Sequence, residues 1–561
     1  MALVSRYPKE LVKQYQEQRH WDGKYPIDYW EANALLRPTE EALIYHTERF
    51  TWQSAVKTAY SLATGFLNSG LKKNDILALQ GSNSALLFLV RLAAEKAGII
   101  TLLIPPGFSK REISSISDKL TLAGVVLGND KKTQTLLPFY EELSDKKPIR
   151  IYTIGDFEFP RHQKIDSWVD CQNSSLRLKS FLSGNGFLPF EYATIITTSG
   201  TTGLPQLVEN PACARTASGR VYIERLQLTS KDVILGTVSI FSGNCDLLTY
   251  YTAAQAGAKI VLIKDCEPAS ICRAIEEEKV SCAVFVPTLL HRLLAYKNIN
   301  EYDLSTLRIV TCFGALLAPE LAAKVENSLK VKIIQGYGAS DYGSIACTAI
   351  NDPKKVRLAG VGRPLSGTDL RICNNTGELV TSGTKGSIFV RGPHAVGGFI
   401  NESSLFEQKW KTGFFDVGDI GSLDNDGYLW LAGRSREIII RGSQNIVPVE
   451  VEGAILEHPD VLDVAVIGVA DHEMGERVCA FLVLNSAVML SLPSLRVFLQ
   501  KKGLAFFKLP EFTVKIDRLP LNPAGNKVDK NRLQQDFHRI LQGRKTDLDI
   551  IDTIIPNIIN N

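Results

Sequence analysis

At 561 residues the chain is too long for one hydrophobic core and has room for roughly two to four structural units. Hydrophobic residues make up 45% and charged residues 22%, an ordinary globular balance, and the formal net charge of +3 is spread over pairs such as Lys72-Lys73 and Lys146-Lys147, so nothing resembles a nucleic-acid footprint. Ten cysteines without a Cys-x-x-Cys pair, behind an amino terminus with no secretory leader, predict reduced thiols in a cytoplasmic protein, and His472-Glu473 lacks the second histidine of a zinc-binding helix.

The leading segment carries Trp21, Tyr25, Tyr29 and Trp30 among charges, which predicts an aromatic-studded arm packed on the main body. Thr51-Trp52 opens an amphipathic helix with Ala55, Ala59, Leu62, Ala63, Phe66 and Leu67 on one face, ended by Gly70. A strand over 75–79, a helix over 84–96 and a strand over 99–104 follow. The apolar run 85–104 is interrupted by Arg91, Glu95 and Lys96, so it reads as a helix and a buried strand, not a membrane span. Strands separated by helices require crossover connections and a parallel sheet, hence a doubly wound α/β unit, with further strands at 124–127 and 149–154. The polar stretch 167–190 yields no assignment.

Residues 197–206 read TTSGTTGLPQ. The short apolar run 193–198 predicts a buried strand that stops at a loop, where Ser199, Thr201 and Thr202 offer hydroxyls while Gly200 and Gly203 let the backbone approach a ligand closely. Such a loop can wrap phosphates, although its spacing is that of neither a Walker A loop nor a dinucleotide fingerprint, and an ordinary polar turn has the same composition. A second α/β unit is read from residue 192 through strands at 233–235, 258–263, 283–286, 307–311 and 332–335. Over 356–430 the composition shifts to short strands bounded by Gly, Asp and Asn, which predicts a small barrel-like sheet. After Arg434 a last compact unit begins, and its tail, 545–561, reads as an appended surface element or a disordered end.

Four further stretches follow TTSGTTGLPQ in order: QGYGASDYG at 335–343, GFFDVGD at 413–419, GRSREIIIRGSQNIVPVEVE at 433–452 and LPLNPAGNKVDK at 519–530. Together the five resemble the signature motifs of the adenylate-forming superfamily, which includes acyl-CoA and aryl-CoA synthetases, adenylation domains of peptide synthetases, and luciferases. The aromatic leader and the KGLAFFKLP run at 502–510 look most similar to dihydroxybenzoate-AMP ligases and cyclohexanecarboxylate-type CoA ligases. The resemblance implies an α/β fold: an AMP-binding domain over 1–436, made of two doubly wound sheets and a small barrel-like sheet, then a small mobile α+β domain over 437–561 carrying a catalytic lysine.

It also implies the reaction. A carboxylic acid attacks the α-phosphate of ATP, pyrophosphate leaves, and the acyl group passes from the adenylate to the thiol of CoA or of a carrier protein's phosphopantetheine. On the matching positions, Ser199, Thr201 and Thr202, with Gly200 and Gly203, would hold the departing phosphates, and Thr198 would stand beside them in the catalytic set. Tyr337 would lie against adenine in a slot shaped by Gly314, Ala315, Gly336 and Gly338; Ser340 would reach the α-phosphate and Asp341 the magnesium ion. Asp419 would accept hydrogen bonds from the ribose hydroxyls with Arg434 beside it, and Lys527 would bridge the attacking carboxylate and the α-phosphate. Glu437 occupies the pivot, and Arg441, Gly442 and Ser443 would line the thiol's path in the second pose.

Four positions depart from the family pattern. Gln206 stands in place of a lysine, Asp341 in place of a glutamate, residues 240–244 (IFSGN) lack the usual aromatic or histidine gate, and one extra residue separates Gly525 from Lys527. The acid pocket, expected from Ser242, Asn244 and Phe313 with their neighbours, is mainly small and apolar, which favours a compact aromatic, alicyclic or short to medium acyl acid over a charged one or an amino acid. CoA is preferred as acceptor because no carrier domain follows Lys530. No membrane span is expected, and dimers are common among relatives. A reading of another class, a nucleotide-binding scaffold or regulator that no longer catalyses, is opposed by the joint retention of Asp419, Arg434 and Lys527, since a mere binder needs no mobile lysine.

Overall fold

The computed structural model describes residues 9–155, 162–169, 182, 184–199, 205–314, 317–374, 376–434, 437, 439–441, 444–471, 474–485, 490–522, 527–542 and 550–554. Local signals set the first helices. Thr51 caps Trp52–Asn68, its hydroxyl accepting from the Ser54 amide at 3.1 Å while Ser54 Oγ accepts from the Thr51 amide at 2.8 Å, and Gly70 at φ +94° turns the chain out of it. Ser84 caps Ala85–Ala97, and Gly98 at φ +70° ends it. Every side chain of that second helix except Lys96 is buried, because it lies in the large hydrophobic core shared by strands of two sheets.

The first sheet has eight strands in the spatial order Gly398–Phe399, Pro205–Pro211, Tyr192–Ser199, Ile100–Ile104, Ile76–Gln80, Gly124–Leu127, Arg150–Thr153 and Gln163–Lys164. From Tyr192–Ser199 onward its neighbours are parallel, as crossover helices require. The second sheet has nine: Arg363–Pro364, Gly343–Cys347, Lys332–Ala339, Ile309–Cys312, Cys282–Phe285, Val233–Gly236, Lys259–Leu262, Glu41–Tyr45 and Glu48–Thr51. Both are buried at their centres, with Ile76–Gln80 and Cys282–Phe285 buried throughout.

One assignment differs from the sequence reading, and one hairpin was not read from it. Tyr192–Ser199 does not open the second unit; it pairs in parallel with Ile100–Ile104 (Thr101 opposite Thr194, Leu102 opposite Ile195), so the hydroxyl-rich loop hangs from the first sheet. Conversely, the hairpin of Glu41–Tyr45 and Glu48–Thr51 precedes the first sheet in sequence yet completes the second, pairing with Lys259–Leu262. Pairing partners remote in sequence leave no trace in local periodicity.

A curled third sheet joins Asp369–Cys373, Gly386–Arg391, Phe414–Leu423 and Trp410–Lys411, with Leu429–Arg434 paired to Phe414–Leu423. The fourth sheet begins at Ile439–Arg441 and contains Gln444–Ile446, Val461–Asp471, Gly475–Leu484, Phe512–Ile516 and Ile550–Ile554, packed with helices Pro448–Leu456, Leu492–Lys501 and Lys530–Leu541. Of the two readings of the tail, the appended element fits its described part: Ile550–Ile554 pairs antiparallel with Phe512–Ile516. The aromatic arm packs on the body as expected. Trp30 sits 4.7 Å from Trp52, and Trp21 donates its indole N–H to the Pro393 carbonyl at 2.8 Å.

Candidate active site

The antiparallel return from Tyr192–Ser199 to Pro205–Pro211 places Thr198 opposite Gln206 and Ser199 opposite Pro205. The loop between them, with Gly200, Thr201, Thr202 and Gly203, lies outside the described residues, and only the main chain of Ser199 is described. At the foot of this loop Gln206 Nε2 donates to Glu402 at 3.4 Å, and Lys119 Nζ makes an ion pair with the same carboxylate at 2.5 Å. The lysine absent from position 206 thus has a neighbour of the same charge arriving from the helix Lys110–Lys119.

Strand Lys332–Ala339 changes partners along its length. Its first half runs parallel to Ile309–Cys312, and its second half is antiparallel to Gly343–Cys347. Two glycines permit this crossing: a Cβ on Gly336 would fall 1.9 Å from the Phe313 ring and 2.7 Å from the Tyr222 hydroxyl, and one on Gly338 would lie 2.4 Å from the Gly343 carbonyl. Between them Tyr337 is buried and its phenol donates to Asp419 at 2.6 Å. Asp419, also buried, stands opposite Arg434 in the Phe414–Leu423 and Leu429–Arg434 pairing, although the Arg434 side chain is outside the description. Gly314 stands just past the end of Ile309–Cys312 at φ +88°; Ala315 is not among the described residues.

Ser340 and Asp341 occupy the tight turn between the two strands, where the Tyr342 amide donates to the Ala339 carbonyl at 3.1 Å. Asp341 is partly exposed and makes an ion pair with Lys409, a partner that sequence reasoning missed. Lys409 belongs to no motif; only its place just ahead of GFFDVGD hinted at it.

In the expected acid pocket, Ser242 is buried and accepts the Asp246 amide at its carbonyl, 2.9 Å away, where a turn of π-helix begins at Asp246–Thr252. The Asn244 side chain lies outside the description. Phe313 is buried and 5.7 Å from the Tyr222 ring. Asp246 turns away into a buried cluster: it pairs with Arg91 at 2.5 Å, and Arg91 lies over the Tyr250 ring at 3.6 Å. Tyr250 in turn donates to Glu95 at 2.8 Å. Burial pushes the Cys245 thiol up to about 12, so it stays protonated and unreactive.

The remaining residues belong to the fourth sheet's unit. Lys527 is half-buried in a turn where its carbonyl accepts the Asn522 amide at 2.7 Å. Arg441 makes a bidentate pair with Glu511, both contacts 2.9 Å, and Glu511 also meets Arg477 at 2.9 Å. Glu437 is exposed, and Gly442 and Ser443 lie outside the described residues. This unit packs on the rest through helix Pro448–Leu456 against Pro319–Leu329, with Gly453 close to Ala318.

Among the described residues, no three His, Cys, Asp or Glu side chains converge on a metal site, all nine cysteines are unpaired, and no helix is long and apolar enough to cross a membrane.

Comparison with known proteins agrees with the motifs. The AMP-binding enzyme family profile matches residues 30–400 and the profile of the AMP-binding enzyme C-terminal domain matches 450–526. The chain is 27% identical to the medium-chain fatty-acid–CoA ligase of Escherichia coli (strain K12) over 96% of its own length and 95% of that protein. It is 28% identical to the vibriobactin-specific 2,3-dihydroxybenzoate-AMP ligase of Vibrio cholerae over 95% and 97%. Its fold matches a crystal structure of an anthranilate CoA ligase in complex with anthranoyl-AMP, with a TM-score of 0.83 at 21% identity over 92% and 98% of the two chains. Relatives that are ligases over nearly the whole chain give the scaffold reading no support. The chain belongs to the AMP-binding enzyme family and is an adenylate-forming acid ligase of the acyl-CoA synthetase kind.

Proposed function

We propose that the protein activates a compact apolar carboxylic acid with ATP and transfers it to the thiol of CoA. The observation that carries the nucleotide half is the Tyr337–Asp419 hydrogen bond inside a glycine-walled slot: an aromatic face and a carboxylate held together suit adenine and ribose. In this reading Gly314, Ala315, Gly336 and Gly338 shape the slot, Arg434 assists Asp419, and Thr198, Ser199, Thr201 and Thr202 cradle phosphates on the turn that Gly200 and Gly203 allow. Ser340 faces the α-phosphate.

Magnesium fits Asp341: a single partly exposed carboxylate beside a phosphate cradle suits an ion that keeps its waters and takes its other ligands from the substrate. When bound, the ion neutralises charge on the phosphates. Lys527 brings its mobile positive charge to the developing carboxylate–phosphate bond in the first pose. The chain divides into 1–436 and 437–561, with Glu437 between the third sheet, which ends at Arg434, and the fourth, which begins at Ile439. Arg441, Gly442 and Ser443 guide the thiol in the second pose.

For the acid, Ser242, Asn244 and Phe313 line the pocket, and the nearby carboxylate of Asp246 is committed to Arg91. An ammonium group would find no counter-charge there, which supports an aromatic, alicyclic or medium acyl acid over an amino acid; two relatives act on such acids by name. A cytoplasmic setting suits the unpaired cysteines. The test is mass spectrometry of the protein with ATP, magnesium, CoA and a pool of aryl, alicyclic and medium-chain acids. An acyl-CoA product supports the reading; acid-AMP alone, with CoA untouched, replaces CoA by a carrier protein.

A further inference from the structure

The residues that flank the short helix Ser403–Gln408 contact two residues of the site, Gln206 and Asp341. Its N-cap, Glu402, is held by Lys119 at 2.5 Å and meets Gln206, the neutral residue at the foot of the hydroxyl-rich loop. Its C-cap, Lys409, makes the ion pair with Asp341. The backbone that presents Lys409 is fixed: its carbonyl accepts the Asp416 amide at 2.7 Å, and Phe406 on the same helix packs 5.3 Å from Phe399 and 5.7 Å from Phe415. The side chain beyond is long, partly exposed and lies with its ammonium 5.2 Å from the Phe415 ring.

Such a pair contributes little to the fold, because a partly exposed lysine–carboxylate contact is screened by solvent and costs side-chain freedom. Its place matters more. Asp341 lies four residues past Tyr337 on the turn between the two strands, so the ammonium sits where a cation bound to Asp341 would sit. We propose that Lys409 is a phosphate-positioning residue: it occupies Asp341 while the site is free of nucleotide, yields that carboxylate to the metal when Mg·ATP arrives, and turns its ammonium onto the triphosphate, supplying the charge that Gln206 does not. This rests on the functional reading above.

The test is calorimetric binding of the non-cleavable α,β-methylene analogue of ATP, with magnesium, to the full chain and to Lys409→Met and Lys409→Arg, with kcat and KM measured in parallel. Loss of one charge-assisted contact weakens Lys409→Met binding by about tenfold or more, with KM for ATP rising in step and kcat nearly unchanged, while Lys409→Arg stays within about threefold. Mn2+ binding without nucleotide tightens in Lys409→Met, because the competing ammonium is gone. Nucleotide binding to Lys409→Met as tight as to the natural protein overturns the inference, and so does an equal loss in Lys409→Arg, which would mean packing and not charge. If the natural chain binds no nucleotide, the functional reading falls and this inference with it.

Discussion

The phenol of Tyr337 and the carboxylate of Asp419, 82 residues apart in sequence, are joined by a buried hydrogen bond of 2.6 Å. That bond holds the carboxylate in one orientation, which is what the proposed grip on the ribose hydroxyls requires. Asp419→Asn is expected to raise KM for ATP by roughly ten- to a hundredfold, the value of a charged acceptor lost, and Tyr337→Phe by several-fold through loss of aim. Acid-dependent pyrophosphate exchange measures both. Unchanged exchange in Asp419→Asn would remove ribose from this carboxylate.

Lys527→Ala is expected to cut adenylate formation by about a hundredfold or more, the scale of one electrostatic contact in a transition state. Thioester formation from a supplied acyl-adenylate should continue at nearly the natural rate. Single-turnover assays of each half-reaction separate the two, and equal loss in both would sink the assignment of two poses to the smaller unit.

The Arg91–Asp246 pair is buried on both sides. Asp246→Ala leaves a guanidinium uncompensated in the core and should cost about 3–5 kcal/mol, seen as a lower melting temperature. Replacing both, Arg91→Met with Asp246→Leu, should recover most of that loss. A double variant that melts no higher than the single one would show that shape, not charge, is what the pair contributes.

Burial pushes Glu95 up to about 8, against the hydrogen bonds from Tyr250 and the Ile27 amide and the nearby Arg91 charge. A carboxyl whose folded value lies above its unfolded one binds its proton more tightly when folded. Stability therefore falls as pH rises from the ordinary carboxylate range toward about 8, by at most about 1.4 kcal/mol per pH unit. Glu95→Gln cannot ionise and should flatten that slope whatever its effect on the baseline. Denaturant melts between those limits read it directly; a slope unchanged in Glu95→Gln would assign it to another group.

Much of the first sheet was readable because its signals are local. The cap at Thr51, the Ser84 to Gly98 helix and the all-apolar strand 124–127 each carry their own punctuation. The swapped hairpin at 41–51 was not readable, because its reason for existing is a strand beyond residue 258. At the site, the glycines around Tyr337 were legible as motif, yet the reason for Gly336 is the ring of Phe313, a distant residue. Lys409, Lys119 and the Arg91 cluster were invisible for the same cause: an isolated charge in a sequence does not say whether its partner is solvent or a carboxylate brought in by the fold.

That hairpin also bears on how the chain is made. Leu43 and Ile44 pair with Ile260 and Val261, so during synthesis an apolar strand must wait for more than two hundred further residues before its neighbour exists. At the ribosome's pace of 5–20 residues per second this is roughly 10–40 s of exposed strand edge. The second sheet cannot close as its residues emerge, and until the strand at 259–262 is delivered the apolar edge of Glu41–Tyr45 is open to pairing with other chains.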